Sequence, residues 1–275
     1  MPIPWDTPAS FKSDLHGDLG LILKRSGALV LGLALVFPPS ASKPPIEERM
    51  AMNQLVERDE QPDPSVFSPA ELQLLQQRFG VHGPQTTLAQ LFTRGVDQLQ
   101  PLRDLTLDQL KQLKPVIVRA SRQQRINPML VTAILFDEIQ HSKPGESLPF
   151  IAHSGLVKTH GPAQLAITEL IHQGLLPAHP NADEIAWARN QLLDPQKSVV
   201  LLVGKMSRLK QELGISTDRR LDASSSYSDA KAIATLAYLH NGKLDYPRRI
   251  LSYMQDPELH GLIYSSKRSQ PFVLL

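Results

Sequence analysis

The sequence predicts an all-α, or mainly α, protein built around one buried central helix. Three observations carry this. Apolar residues recur at helical spacing along the chain after residue 65, and several of these runs open on a capping residue followed by Pro. One run, Met129 to Phe136, is apolar on every side, which marks a helix enclosed by others. No stretch alternates polar and apolar residues with β-branched enrichment, and no repeat of roughly 20–50 residues is present.

The elements follow in order. Ser68-Pro69-Ala70-Glu71 is a capping box with Pro at the first helical position; Leu72, Leu75 and Phe79 share one face, and Gly80 ends the helix. A second segment runs from Thr87 to Leu99. A third starts near Thr106 and carries Leu107, Leu110, Leu113 and Val116; Pro115 either kinks it or begins a new helix. Asn127-Pro128 opens the central helix, which ends in Asp137, Glu138, Gln140 and His141 before the Lys143-Pro144-Gly145 break. Further helices are expected over Pro162 to Gln173, closed by Gly174, and after the cap Asn181 with Glu184. Asp194-Pro195 opens a longer helix with Val199, Leu202, Val203, Met206 and Leu209 on one face, closed by Gly214. Ser228 to Asn241 is a small-residue helix stopped by Gly242, and Pro247 to Met254 reads as the last helix.

Composition bounds the function. The chain has 275 residues, 41% hydrophobic and 20% charged, which suits one sizeable domain with an appendage. The absence of Cys excludes a disulfide scaffold, a thiolate metal site and a cysteine nucleophile. A net charge of +2, from 29 basic and 27 acidic residues, gives no reason to expect nucleic acid as a bulk partner.

The longest apolar run is Gly27 to Phe37, preceded by Lys24 and Arg25 and followed by Pro-Pro-Ser-Ala-Ser-Lys-Pro-Pro. A basic flank, a short apolar run and small residues after it describe an export signal. The run is shorter than the ~20 apolar residues of a membrane span. The Pro-rich stretch that ends at Pro64 reads as a semi-stiff spacer. The expected division is a signal peptide or membrane anchor over 1–45, a linker over 46–64 and a helical domain over 65–275. This places the domain outside the cytoplasm, in the periplasm or cell envelope, with residues 27–37 as its membrane tether. The competing reading buries 27–37 in the core of a cytoplasmic helical adaptor.

Three features carry candidate chemistry. Glu138 sits at the carboxyl end of the most apolar helix. Desolvation, the like charge of Asp137 and the negative helix end are all expected to raise its pKa, as a general acid requires. Gly161-Pro162-Ala163-Gln164-Leu165 reads as a helix start able to present the Gln164 amide. Ala237-Tyr238-Leu239-His240-Asn241-Gly242 places an aromatic ring and hydrogen-bonding side chains at a helix end. His141, His153 and His160 match no ligand spacing on one helix, so no metal is expected.

Together, in this order, the three features resemble the lysozyme-like superfamily, and most of all lytic transglycosylases and goose-type lysozymes. In that family a polar-Pro pair opens a helix that runs to a catalytic Glu. A Gly-x-x-Gln segment, a long helix and an Ala-x-x-Tyr-Asn-Ala-Gly helix end follow. INPMLVTAILFDE, GPAQL, DPQKSVVLLVGKMSRL and IATLAYLHNGK are the counterparts here, over roughly residues 115 to 255. The chain departs from the pattern at Ile139, where the family has Ser, and in Gly-Pro-Ala-Gln for Gly-Leu-Met-Gln. Either Tyr238 or Leu239 takes the tyrosine position.

The resemblance implies a lysozyme-like fold and cleavage of the β-1,4 bond between N-acetylmuramic acid and N-acetylglucosamine in peptidoglycan, without a cofactor. Glu138 would be the acid and then the base. Gln164, Tyr238 and Asn241 would hold substrate. Glu146, in the loop after Glu138, is the best-placed second carboxylate, but nothing makes it compelling, which favours the single-Glu transglycosylase route. The alternative is an inactive glycan-binding or envelope scaffold module of the same fold.

Overall fold

The computed structural model of the chain describes residues 62–80, 95, 99–142 and 158–265. The chain divides into two units, Met1–Gln61 and Pro62–Leu275, and every described residue belongs to the second. The apolar run 27–37, the linker up to residue 61, most of the helix expected over 87–99, Glu146 and His153 lie outside the described residues.

The fold is mainly α. Among the described residues, nine helices run in the order α1 (Pro69–Phe79), α2 (Gln100–Gln123), α3 (Pro128–Gln140), α4 (Ile167–His172), α5 (Ala182–Leu193), α6 (Pro195–Glu212), α7 (Tyr227–Asn241), α8 (Tyr246–Tyr253) and α9 (Pro257–Tyr264). A small antiparallel hairpin, β1 (Thr159–His160) and β2 (Leu165–Ala166), pairs Thr159 with Ala166 and His160 with Leu165. None of these helices is long and apolar enough to cross a membrane.

The caps read from sequence are made as expected. Ser68 and Asn181 form reciprocal capping boxes with Glu71 and Glu184, and the Asp194 carboxylate accepts from the backbone N–H groups of Gln196 and Lys197. Gly242 ends α7 at φ 79°, in the left-handed region that only Gly adopts without strain.

Helix α3 is the centre. Met129 through Asp137 are all buried, and α2, α6, α8 and α9 pack around it. Asn127 sets its start: Oδ1 accepts from Met129 N at 2.9 Å, while Nδ2 donates to the Leu221 carbonyl at 3.0 Å. Phe136 sets its end, with an edge contact to Tyr253 of α8 (4.9 Å between centroids) and the Arg103 guanidinium of α2 over its ring at 5.0 Å. Arg103 also pairs with Asp256 and Glu258, which ties α2 to the start of α9. On the other flank, Lys210 is wholly buried because its ammonium donates to the carbonyls of Arg125, Thr217 and Arg219.

Three expectations are corrected. Helix α2 starts at Gln100, not near Thr106, and passes through Pro115 without a break. Pro115 lies on the exposed face, where the Lys111 carbonyl it orphans can meet water, while Leu110 and Ile117 on the inner face are fully buried. The segment expected as one helix over Pro162–Gln173 is instead a hairpin turn and the short helix α4. The chain does not end its helices at Met254, since Asp256-Pro257 caps and opens α9.

Because Phe136 is completely buried and links three helices, Phe136→Ala should lower unfolding free energy by about 3–5 kcal/mol. Urea unfolding followed by circular dichroism checks this; a loss under about 1 kcal/mol would mean that the site collapses around the smaller side chain.

Candidate functional site

The last turn of α3 brings two adjacent carboxylates out of water on different sides of the helix. Asp137, almost fully buried, points to α8 and meets Arg249 through two bonds, Nε to Oδ1 at 2.8 Å and Nη2 to Oδ2 at 3.1 Å. The His141 ring nitrogen Nδ1 lies 3.4 Å from Oδ1. Arg249 also holds Asp245 at 2.8 Å, and these two carboxylates, against the cost of burial, keep its guanidinium above its ordinary pKa.

Glu138 points instead to the junction of α7 and α8. Its Oε1 accepts from the Tyr246 hydroxyl at 2.8 Å and Asn241 Nδ2 at 3.2 Å, and lies 3.3 Å from His240 Nε2. No donor among the described residues engages Oε2. The side chain keeps 11% of its surface exposed. Gly242 makes this convergence possible, because its left-handed turn stops α7 directly after His240 and Asn241 and sends the chain into α8, which returns Tyr246.

The electrostatics differ from the expectation. Burial pushes the Glu138 carboxyl up, as expected, but the hydrogen bond and the charge of protonated His240, with the donors Tyr246 and Asn241, outweigh it and hold the carboxyl below its ordinary value. Asp137, paired with Arg249, is not among the main influences on Glu138, although its charge helps to raise Tyr246. His240 is pushed down by burial and by the nearby Lys205 ammonium, which donates to the His240 carbonyl at 3.1 Å. At neutral pH the imidazole is therefore neutral and serves Glu138 as an Nε2–H donor. Its Nδ1, and Oδ1 of Asn241, are buried without a hydrogen-bond partner among the described residues. Tyr246 is shifted well upward by burial and by the Glu138 charge, so its hydroxyl stays protonated and donating.

The other sequence candidates are distributed as follows. Asn241 joins Glu138 directly. Tyr238 does not reach the surface: it is fully buried, with its ring 5.3 Å from that of Phe67, so the substrate contact expected of it is corrected to a core role. Tyr246, which lies beyond the Asn-Gly stop and outside the sequence motif, supplies the tyrosine hydroxyl. His240, within the motif, is a further donor to the same carboxyl. A buried His next to a helix-ending Asn-Gly was the available signal for it; Tyr246 carried none.

Gln164 is not at a helix start. It occupies the hairpin turn with φ 46°, its Oε1 accepting from Thr159 Oγ1 at 2.6 Å and its Nε2 donating to the Gly161 carbonyl at 3.3 Å. Gly161 is required by packing: a Cβ there would stand 1.8 Å from the Leu192 carbonyl oxygen. The hairpin thus presses against the end of α5, and Ser198 of α6 accepts from Ala163 N at 3.3 Å. Between the hairpin and α3 lies a groove of 170 Å³, lined by Ile139, Ser142, Gly161, Pro162 and Gln164 together with Gln109 of α2. Ile139, where the resemblance would have Ser, forms part of this wall, next in sequence to Glu138.

Comparison with protein-family models, curated proteins and solved structures returned no match to this chain.

Both shifts at the Glu138–His240 pair have the same sign for stability. The unfolded His takes its proton as pH falls through 6.5, before the folded one, so stability declines from there. The Glu138 contribution is present above its ordinary 4.5 and is lost as pH falls through its lower folded value. The melting temperature should therefore drop on acidification from about pH 7, and His240→Gln, which keeps an amide donor, should flatten the profile between about pH 6.5 and 5. An unchanged slope would show that His240 is not the titrating group.

Proposed function

We propose that the protein is a peptidoglycan-cleaving glycosidase of the lytic transglycosylase kind, cutting the β-1,4 bond between N-acetylmuramic acid and N-acetylglucosamine with Glu138 as its single acid and base. The observation that carries this reading is the carboxyl group itself. One oxygen is fixed by three donors from another helix pair, no donor among the described residues engages the other, and the next residue, Ile139, lines a groove.

Such a group can do both halves of the reaction. Protonated, Oε2 gives its proton to the leaving glycosidic oxygen. Ionised, it accepts a proton from the sugar's own 6-hydroxyl as that oxygen closes on the anomeric carbon. Tyr246, Asn241 and His240 hold the orientation and stabilise the charged form once the proton has left. Gln164 and the hairpin wall form one side of the groove in which the glycan would lie. The export signal and tether expected over residues 1–64 agree with a wall substrate.

Because the three donors favour the ionised carboxyl, the acid step is the more demanding one. Activity of the full chain, read as soluble fragments released from purified sacculi, should rise as pH falls from neutral, with kcat/KM on the alkaline limb following protonation of Glu138. Glu138→Gln should abolish release, by at least about 10²-fold. Tyr246→Phe removes one hydrogen bond to the charged form, so the alkaline limb should move to higher pH. Equal release by the wild type and Glu138→Gln would remove Glu138 from the reaction.

One observation favours a second reading, a glycan-binding module without activity: the same donors hold the carboxyl in the form that cannot act as an acid. Binding to sacculi with no release at any pH would establish it.

A further inference from the structure

A second groove lies along α2 on a face that the proposed reaction does not use. Its volume is 780 Å³. Lys111, Lys114, Arg119 and Arg122 line it, with Val118 between them and the half-exposed Tyr264 of α9 on the opposite wall. No carboxylate of a described residue lines it, although Asp104, Asp108 and Glu258 act on Lys111 at its end. From Gln109 to Phe136 the sequence holds five cations and no acid, so this is a local excess that the near-neutral net charge conceals.

The partners of these cations leave much of the charge free. Lys111 pairs with the exposed Asp108 at 2.7 Å, and Lys114 donates to the Ser265 carbonyl at 2.8 Å. The guanidinium groups of Arg119 and Arg122 make no hydrogen bond or ion pair with a described residue. At the Tyr264 wall Arg220 and Asp222 act on the hydroxyl with opposite signs, so the positive charge of the groove comes from α2. From Lys111 to Arg122 the helix advances about 16 Å, which gives a line of positive charge with an aromatic ring beside it.

We propose that this groove binds the carboxylate-bearing peptide stems of the polymer that the Glu138 site is read to cleave, an inference that rests on that reading. The shape suits a strand in a trough better than a flat bilayer. Charge complementarity asks for an anion, and peptide stems carry free carboxylates at intervals. Both grooves border α2, Gln109 lining the one beside Ile139 and Lys111, on the opposite side of the helix, lining the basic one. Guanidinium groups pair with carboxylates through two parallel bonds, which Arg119 and Arg122 are free to make. The groove would hold the protein on its substrate and leave bond cleavage to Glu138.

The test is co-sedimentation of the full chain with purified sacculi, in a Glu138→Gln background so that cleavage does not destroy the probe. Arg119→Glu/Arg122→Glu should weaken binding about tenfold or more at low salt, and the difference should shrink at about 1 M salt, where the screening length falls to about 3 Å. Sacculi whose carboxylates have been converted to amides should bind the parent chain as weakly as the reversed variant binds native sacculi. Both arginines are at the surface, and an unchanged melting temperature shows that the fold is intact. Undiminished binding by the variant, or equal binding of amidated sacculi, overturns the proposal. So does tighter binding of a single-stranded oligonucleotide, or of vesicles containing anionic lipid, than of sacculi. Fragment release is measured separately: salt-sensitive binding without release overturns the glycosidase reading alone, and release with undiminished variant binding overturns this one alone.

Discussion

Enclosing α3 takes two neighbouring carboxylates, Asp137 and Glu138, out of water at the end of a helix whose own dipole is unfavourable to them. An apolar helix of this kind gains by burying every side, but the gain is lost if its terminal acids are left unpaired. The α7–α8 corner meets this constraint. Arg249 takes Asp137, and His240, Asn241 and Tyr246 take Glu138. The packing of α8 against α3, the Gly242 stop and the burial of Tyr246 all follow from the need to deliver these groups to one helix end.

The same arrangement sets the chemistry. Two residues adjacent in sequence receive different treatments because a helix turns about 100° per residue. One carboxylate is locked in a bidentate ion pair and is structural. The other meets uncharged donors through a single oxygen and keeps a free edge. Burial alone would have raised Glu138; the donors reverse its direction. The state of this carboxyl is thus a balance that residues more than a hundred positions away decide.

The hairpin beside it shows how local signals are overridden. Gly161-Pro162 has the composition of a helix start, yet Gly161 is there because the Leu192 carbonyl occupies the place of a Cβ. Gln164 adopts positive φ and folds onto Thr159 and Gly161 rather than projecting from a helix. Two residues per strand are too few for alternation to be visible, so periodicity had nothing to register there. Tyr238 and Tyr246 make the same point. They stand eight positions apart; the motif points to Tyr238, and only packing, of Tyr238 against Phe67 and of Tyr246 against Glu138, puts the site hydroxyl on Tyr246.

By itself the sequence determined the mainly α class, the caps at Ser68, Asn127, Asn181 and Asp194, the stops at Gly80 and Gly242, and the burial of α3. These depend on contacts within a few residues or on periodicity along one helix, both of which are written in linear order. Glu138 and Asn241 were legible as candidates for the same reason, through their places at helix ends. Tertiary structure alone decided that Arg249 neutralises Asp137, that His240 and Tyr246 complete the Glu138 cluster, that Tyr238 belongs to the core, and that α2 continues through Pro115. Each depends on which side chains meet across distant segments, and it is the free energy of burying a charge with or without a partner, not a local preference, that selects among them.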